Sequence, residues 1–186
     1  MQNLAGKTIA ILATDGFEQS ELEVPRDTLR QAGAEVHVIS LEAGEIKGWD
    51  EDDWGRAVQV DKTLDSVTST DYDAIVLPGG QINPDLLRVE QSAIDFIKAF
   101  WNEKKVVAAI CHAPWLLVEA GIAKGRKMTS YPSVKTDVIN AGAHWEDSAV
   151  VTDQGLITSR NPGDLEAFCE KIAEEINEGK HERRAA

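Results

Sequence analysis

The stretch VVAAICHAPWLLVEAG, Val106 to Gly121, decides how the chain is organised. Val106 to Cys111 is a continuous apolar run of strand length, the pattern of a strand covered on both faces. Pro114 then opens a helical segment that closes at Gly121, with proline in its first turn and glycine at its end. Between strand and helix stand Cys111 and His112, and the question is whether that ending carries chemistry.

The same alternation extends in both directions. Lys7 to Thr14, KTIAILAT, reads as a buried strand that stops at Asp15-Gly16. Glu18 to Ala32 reads as a helix, with apolar spacing at Leu22, Val24, Leu29 and Ala32, closure at Gly33, and Pro25 in its first turns. Ala34 to Leu41 alternates like a strand, which completes a βαβ unit and implies a parallel sheet. Residues 42–67 read as an excursion with a small hairpin. YDAIVLPGG is another buried strand, and SAIDFIKAFWNEKK is a helix with Ile94, Ile97, Phe100 and Trp101 on one face. A short helix from Ser133 to Ala141, a strand near His144, two strands around Asp153-Gln154-Gly155 and a helix between Pro162 and Gly179 follow. The expectation is a three-layer α/β fold in one domain, residues 1–186, with its core at about 7–178 and a frayed tail at 179–186.

Composition narrows the function classes. The 186 residues are 42% hydrophobic and 27% charged, which suits a chain with a real core. A net charge of -13 disfavours phosphate backbones and anionic membranes, so no nucleic-acid or membrane partner is expected. No apolar run approaches the ~20 residues of a membrane span. The first residues lack a basic n-region, so the expected location is cytoplasmic. Two cysteines without CxxC or HExxH spacing argue against a disulfide framework or a metal site, and no cofactor is expected. The acidic run Asp50 to Asp53 lacks EF-hand spacing and reads as a solvated loop, with Trp49 and Trp54 as candidates for a subunit contact.

Ligand sites in open parallel sheets gather at the carboxyl ends of strands. Three strand ends here carry unusual residues: Asp15-Gly16-Phe17-Glu18, Pro78-Gly79-Gly80 and Cys111-His112. On a sharp strand-to-helix turn, Cys111 would face the amides of the next helix, which favour a thiolate. Gly79-Gly80 and the His112 N–H could supply two halves of an oxyanion hole. Glu18, partly buried and protonated, could hydrogen-bond the thiolate, so a depressed Cys111 pKa is expected. A cysteine after Ala-Ala-Ile is equally readable as a small buried hydrophobe, and Cys169, among Leu165, Ile172 and Ile176, is read that way. His112 would need a carboxylate to orient it, and the chain offers no obvious one.

Taken together, AICHAPWLL, VLPGG, DGFEQSELEVPRDTLRQAG, TSYPSVKTDVINAGA and TSRNPGDLEAFC resemble the ThiJ/PfpI family of the class I glutamine-amidotransferase-like superfamily, over about Lys7 to Ile176. The resemblance implies a flavodoxin-like sandwich with a nucleophile elbow. It implies Cys111 as the reactive cysteine, Glu18 as its acidic partner, and Gly80 with His112 as oxyanion-hole donors. It also implies an acid from a neighbouring subunit to orient His112, at the position of Asp85, and hence a homodimer or a larger assembly such as a hexamer. Ala113 departs from the family's frequent Cys-His-Gly, and Asp85 is a methylene shorter than glutamate. The implied activities are hydrolysis of reactive aldehydes or glycated adducts, peptidase activity, or a non-enzymatic oxidative-stress role through Cys111. The peptidase role would depend on Asp85 from another chain, so aldehyde or adduct chemistry is preferred.

Overall fold

The computed structural model describes residues 2–182. The chain runs β1 (Thr8–Leu12), β2 (Phe17–Glu18), α1 (Gln19–Gln31), β3 (Glu35–Ser40), β4 (Glu45–Asp50), β5 (Asp53–Gln59) and β6 (Lys62–Thr63). It continues through β7 (Ala74–Leu77), α2 (Ile82–Leu87), α3 (Gln91–Asn102), β8 (Val106–Ile110), α4 (Pro114–Glu119) and β9 (Lys127–Met128). The last elements are α5 (Lys135–Asn140), β10 (His144–Trp145), β11 (Val150–Asp153), β12 (Leu156–Ser159) and α6 (Leu165–Glu178).

Seven strands form one sheet in the order β11-β12-β8-β7-β1-β3-β6. Every pairing in it is parallel except β11 with β12. Successive side chains of a strand point to opposite faces, and β1 shows the result. Ala10 and Leu12 join one apolar cluster with Phe100 of α3 and Leu116 of α4, whereas Ile9 and Ile11 join another with Leu22 of α1 and Phe168 of α6. Both faces are therefore covered, which is why the strands read as unbroken apolar runs. This is the expected α/β sandwich with a mostly parallel sheet.

The sheet order places β1 between β3 and β7. The chain moves from β1 to one side and later returns to the other, so a crevice opens at the carboxyl ends of β1 and β7. The ends of β1, β7 and β8 come together there. The 42–67 excursion forms the antiparallel hairpin β4–β5, which joins β2 in a separate small sheet.

Two readings need correction. No sequence pattern predicts a helix over 81–87, yet α2 forms there, just after Gly80. The described part of the tail is not frayed. The His181 N–H donates to the Lys104 carbonyl at 3.0 Å, and Glu182 pairs with the Lys104 ammonium at 2.7 Å. Gly179, at φ 90°, lets the chain turn back to make these contacts. Residues 183–186 of the predicted tail lie outside the described residues. Among the described residues, no helix is long and apolar enough to cross a membrane.

Candidate active site

Cys111 sits at the sharp turn between β8 and α4 with φ 64°, a left-handed conformation that is uncommon for a residue with a side chain. Its backbone is held from both sides. The Cys111 N–H donates to the Ser159 carbonyl at 3.0 Å, and the Cys111 carbonyl accepts from the Tyr131 N–H at 2.8 Å. This is the geometry of a nucleophile elbow, in which strain aims the side chain away from the sheet. The sulfur lies on the floor of a cavity of about 420 Å³ whose walls include Glu18, Trp49, Glu51, Gly80 and Tyr131.

The backbone N–H groups of Gly80 and His112 both point at the Cys111 sulfur. Gly79 and Gly80 are required by close approach. A Cβ on Gly79 would stand 2.5 Å from Glu21 Oε2 and 2.6 Å from Cys111 Cβ. One on Gly80, at φ 81°, would stand 2.4 Å from the Gly16 carbonyl oxygen.

The carboxyl at the thiol is Glu21, not Glu18. Glu21 Oε2 accepts the Gly79 N–H at 2.8 Å, and the carboxyl reaches the Cys111 thiol. Glu18 ends β2, paired with Trp49 of the hairpin, and lines the cavity nearer solvent. The physical reason is helical phase. Glu21, Pro25 and Leu29 recur at four-residue spacing on the buried stripe of α1, whereas Glu18 precedes the helix. A carboxylate on that stripe was the signal available in the sequence.

Burial raises the Glu21 pKa to about 8, opposed by the Gly79 hydrogen bond and assisted by the charge on Glu18. Glu21 is therefore mostly protonated at neutral pH. Its Oε1 is buried without a hydrogen-bond partner among the described residues. The Glu18 pKa is also raised, by burial and then by Asp50.

Burial pushes the Cys111 thiol up as well, and a charged Glu21 pushes it further, against the pull of the two N–H donors. The expected depression of the thiol is thus not what this site produces while Glu21 is ionised. Protonating Glu21 removes the repulsion and turns the carboxyl into a donor toward sulfur.

His112 is buried, with Nδ1 3.1 Å from Cys111 Sγ and Nε2 3.1 Å from Ser133 Oγ. The ring stacks on Tyr131 with centroids 4.6 Å apart. Burial lowers its pKa, which favours the neutral imidazole. Its intrachain partner is a hydroxyl, a residue the sequence reading missed. Asp85 lies on α2 beside a shallow depression that it shares with His112, Trp115 and Ser133.

A second missed residue is Asn83, fully buried on α2. Its Oδ1 accepts the Thr14 N–H at 2.8 Å, and its Nδ2 donates to the Pro78 carbonyl at 2.9 Å. One amide thereby ties the β1 end to the β7 end. Gln19 acts similarly for the hairpin, its Oε1 accepting the Arg56 N–H at 2.7 Å. Trp49 and Trp54 meet edge to face at 5.6 Å, and Trp49 forms part of the cavity wall. Cys169 is buried on α6 and does not line this cavity, and burial pushes its thiol up to about 12.

Comparison with known proteins agrees with this fold. The model of the DJ-1/PfpI family matches residues 7–175. The chain is 45% identical to "Protein/nucleic acid deglycase 2" of Escherichia coli, covering 87% of this chain and 93% of that protein. It is 44% identical to "Putative cysteine protease YraA" of Bacillus subtilis, covering 87% and 94%. Among solved structures, Drosophila melanogaster DJ-1beta superimposes with a TM-score of 0.82 at 33% identity, covering 96% and 95%.

Proposed function

Because the chain belongs to the DJ-1/PfpI family, we propose that it is a cysteine-dependent hydrolase of reactive aldehydes and the glycated adducts they form, with Cys111 as nucleophile. One observation carries the reading: the Cys111 sulfur faces two backbone N–H donors and the Glu21 carboxyl on the floor of an open cavity. The likeness to a deglycase over most of both chains supports it.

The residues divide the work as follows. For an amine glycated by a 2-oxoaldehyde, Sγ attacks the carbinol carbon, the C–S bond forms, and the C–N bond breaks as the amine leaves with a proton. The hemithioacetal keeps its neighbouring ketone. Moving a proton from the carbinol carbon to the ketone oxygen gives an enediol, and moving the proton of the original carbinol hydroxyl to the former ketone carbon then gives the thioester of a 2-hydroxy acid without an external oxidant. Water then cleaves the thioester and frees the thiol. Glu21, poised near neutral pH, gives and takes the protons, and Gly80 and His112 stabilise each oxyanion. Glu18 and Glu51 line the entrance.

The test uses N-acetylarginine treated with methylglyoxal and the reduced, full-length protein. Release of N-acetylarginine and lactate by the wild type, and its loss in Cys111→Ser, supports the reading. Release by Cys111→Ser overturns it. Absence of turnover in the wild type, with peroxide adding oxygen to Cys111, would favour an oxidative-stress sensor instead.

Peptide hydrolysis is the second reading, favoured by the 3.1 Å approach of His112 Nδ1 to the sulfur. It requires Asp85 of a partner subunit to reach His112 and therefore an oligomer. Asp85→Ala that abolishes casein cleavage, in a protein that light scattering shows to be at least a dimer, supports this reading. Casein cleavage by a monomer contradicts the requirement for the partner's Asp85, and no casein cleavage by the wild-type oligomer contradicts peptide hydrolysis itself. The -13 charge suits a cytoplasmic protein that binds neither membrane nor nucleic acid.

A further inference from the structure

The last turn of α6 and the segment after it carry a cluster that the chemistry above does not use. Glu175 and Glu178 lie one turn apart, and the bend at Gly179 returns His181 onto Glu175. One ligand-capable atom from each of these three residues lies within 4.8 Å of the other two. The His181 ring is seated rather than loose. It packs against Gly155, where a Cβ would stand 2.6 Å from the ring.

The hydrogen bonding of that ring selects its tautomer. Nε2 lies 3.1 Å from the Glu175 backbone carbonyl oxygen. A carbonyl only accepts, so Nε2 carries the hydrogen. The free lone pair of a neutral ring is then on Nδ1, which faces Glu175 Oε2 at 3.5 Å. A histidine that binds a metal through one nitrogen commonly donates its other N–H to a backbone carbonyl.

The separation fits the same reading. Two ligands about 2.0–2.2 Å from a tetrahedral zinc ion stand roughly 3.3–3.5 Å apart. A charge-assisted hydrogen bond would close to about 2.7–2.9 Å. The Glu175 side chain is only 9% exposed, and its carboxyl faces His181 without accepting a hydrogen bond among the described residues. The nearest basic side chain on the helix, Lys171, is engaged by Glu174 at 2.7 Å.

We propose that Glu175, Glu178 and His181 form a binding site for a divalent transition-metal ion, with zinc the best match. One imidazole nitrogen, two carboxylates and a water complete four-coordination. The site is separate from the Cys111 cavity. Pro162, just before α6, lines that cavity, and the 14 residues of α6 span roughly 20 Å. The ion would staple the chain after Gly179 to α6, a structural role.

The test uses untagged full-length protein carrying Cys111→Ser, which removes the competing reactive thiol. Titration with zinc alone should show one equivalent bound and a raised Tm. Cobalt in its place should give visible absorption without sulfur-to-metal charge transfer. Glu178→Gln, an exposed and conservative change, and His181→Ala should each weaken binding at least ~10-fold, the low end of what even outer partners contribute. No zinc binding, or binding unchanged in both variants, overturns the proposal.

Discussion

Glu21 and Cys111 meet across Gly79, whose N–H fixes the carboxyl at 2.8 Å and whose missing side chain leaves the space in which carboxyl and thiol approach. The relationship makes the two groups a single titrating unit. A charged Glu21 raises the proton affinity of Cys111, the thiol hydrogen bond opposes the rise at Glu21, and burial raises both.

The first consequence concerns stability against pH. Glu21 moves from an ordinary 4.5 to about 8 on folding. Below 4.5 the carboxyl is protonated in both states and takes nothing from stability. As pH rises from 4.5 towards 8, the unfolded state loses its proton first, so stability falls, and the fall levels off above 8. The full loss is on the order of 5 kcal/mol, at about 1.36 kcal/mol per unit. Urea unfolding between pH 5 and 8.5 should show this slope in the wild type and a flatter one in Glu21→Gln. Equal slopes would contradict a buried, titrating Glu21.

The second concerns thiol reactivity. In a Cys169→Ala background, the rate of Cys111 alkylation by iodoacetamide should follow two steps with pH, because the pair loses protons at two apparent pKa values. Glu21→Gln should leave one step. A single step of the same midpoint in both proteins would mean that the two groups are not coupled.

The fold was largely legible in the sequence, since strands covered on both faces must be apolar throughout, as TIAIL, AIVL and VVAAI are. Cys111 and the Gly79-Gly80 pair were legible for a related reason. A thiol and two glycines at strand ends gain little from packing there. The choice between Glu18 and Glu21 was not settled by proximity in sequence, because three residues of helical phase decide which carboxyl turns inward. Ser133 and Asn83 were hidden more deeply. Each belongs to the site through side-chain contacts, Ser133 with His112 and Asn83 with Thr14 and Pro78, that no local pattern encodes. The helix α2 escaped because six residues containing Pro84 give almost no period to read.

The third prediction tests that hidden scaffold. Asn83→Ala leaves the part-buried Thr14 N–H and the buried Pro78 carbonyl without their partner. Each orphaned group costs about 1–3 kcal/mol, so a loss of roughly 2–6 kcal/mol is expected in urea unfolding. Activity should fall more than stability alone explains, since the β1 and β7 ends are no longer tied. A loss below about 1 kcal/mol would show that Asn83 is not the tie.

The most direct measurement compares four proteins on methylglyoxal-treated N-acetylarginine at neutral pH: wild type, Cys111→Ser, Glu21→Ala and Glu18→Gln. Removing a proton-transferring group costs about 10²–10⁴-fold. The predicted result is activity abolished in Cys111→Ser, lowered at least ~100-fold in Glu21→Ala, and within a few-fold of wild type in Glu18→Gln. The contradicting result is an active Glu21→Ala beside an inactive Glu18→Gln, or release that survives Cys111→Ser.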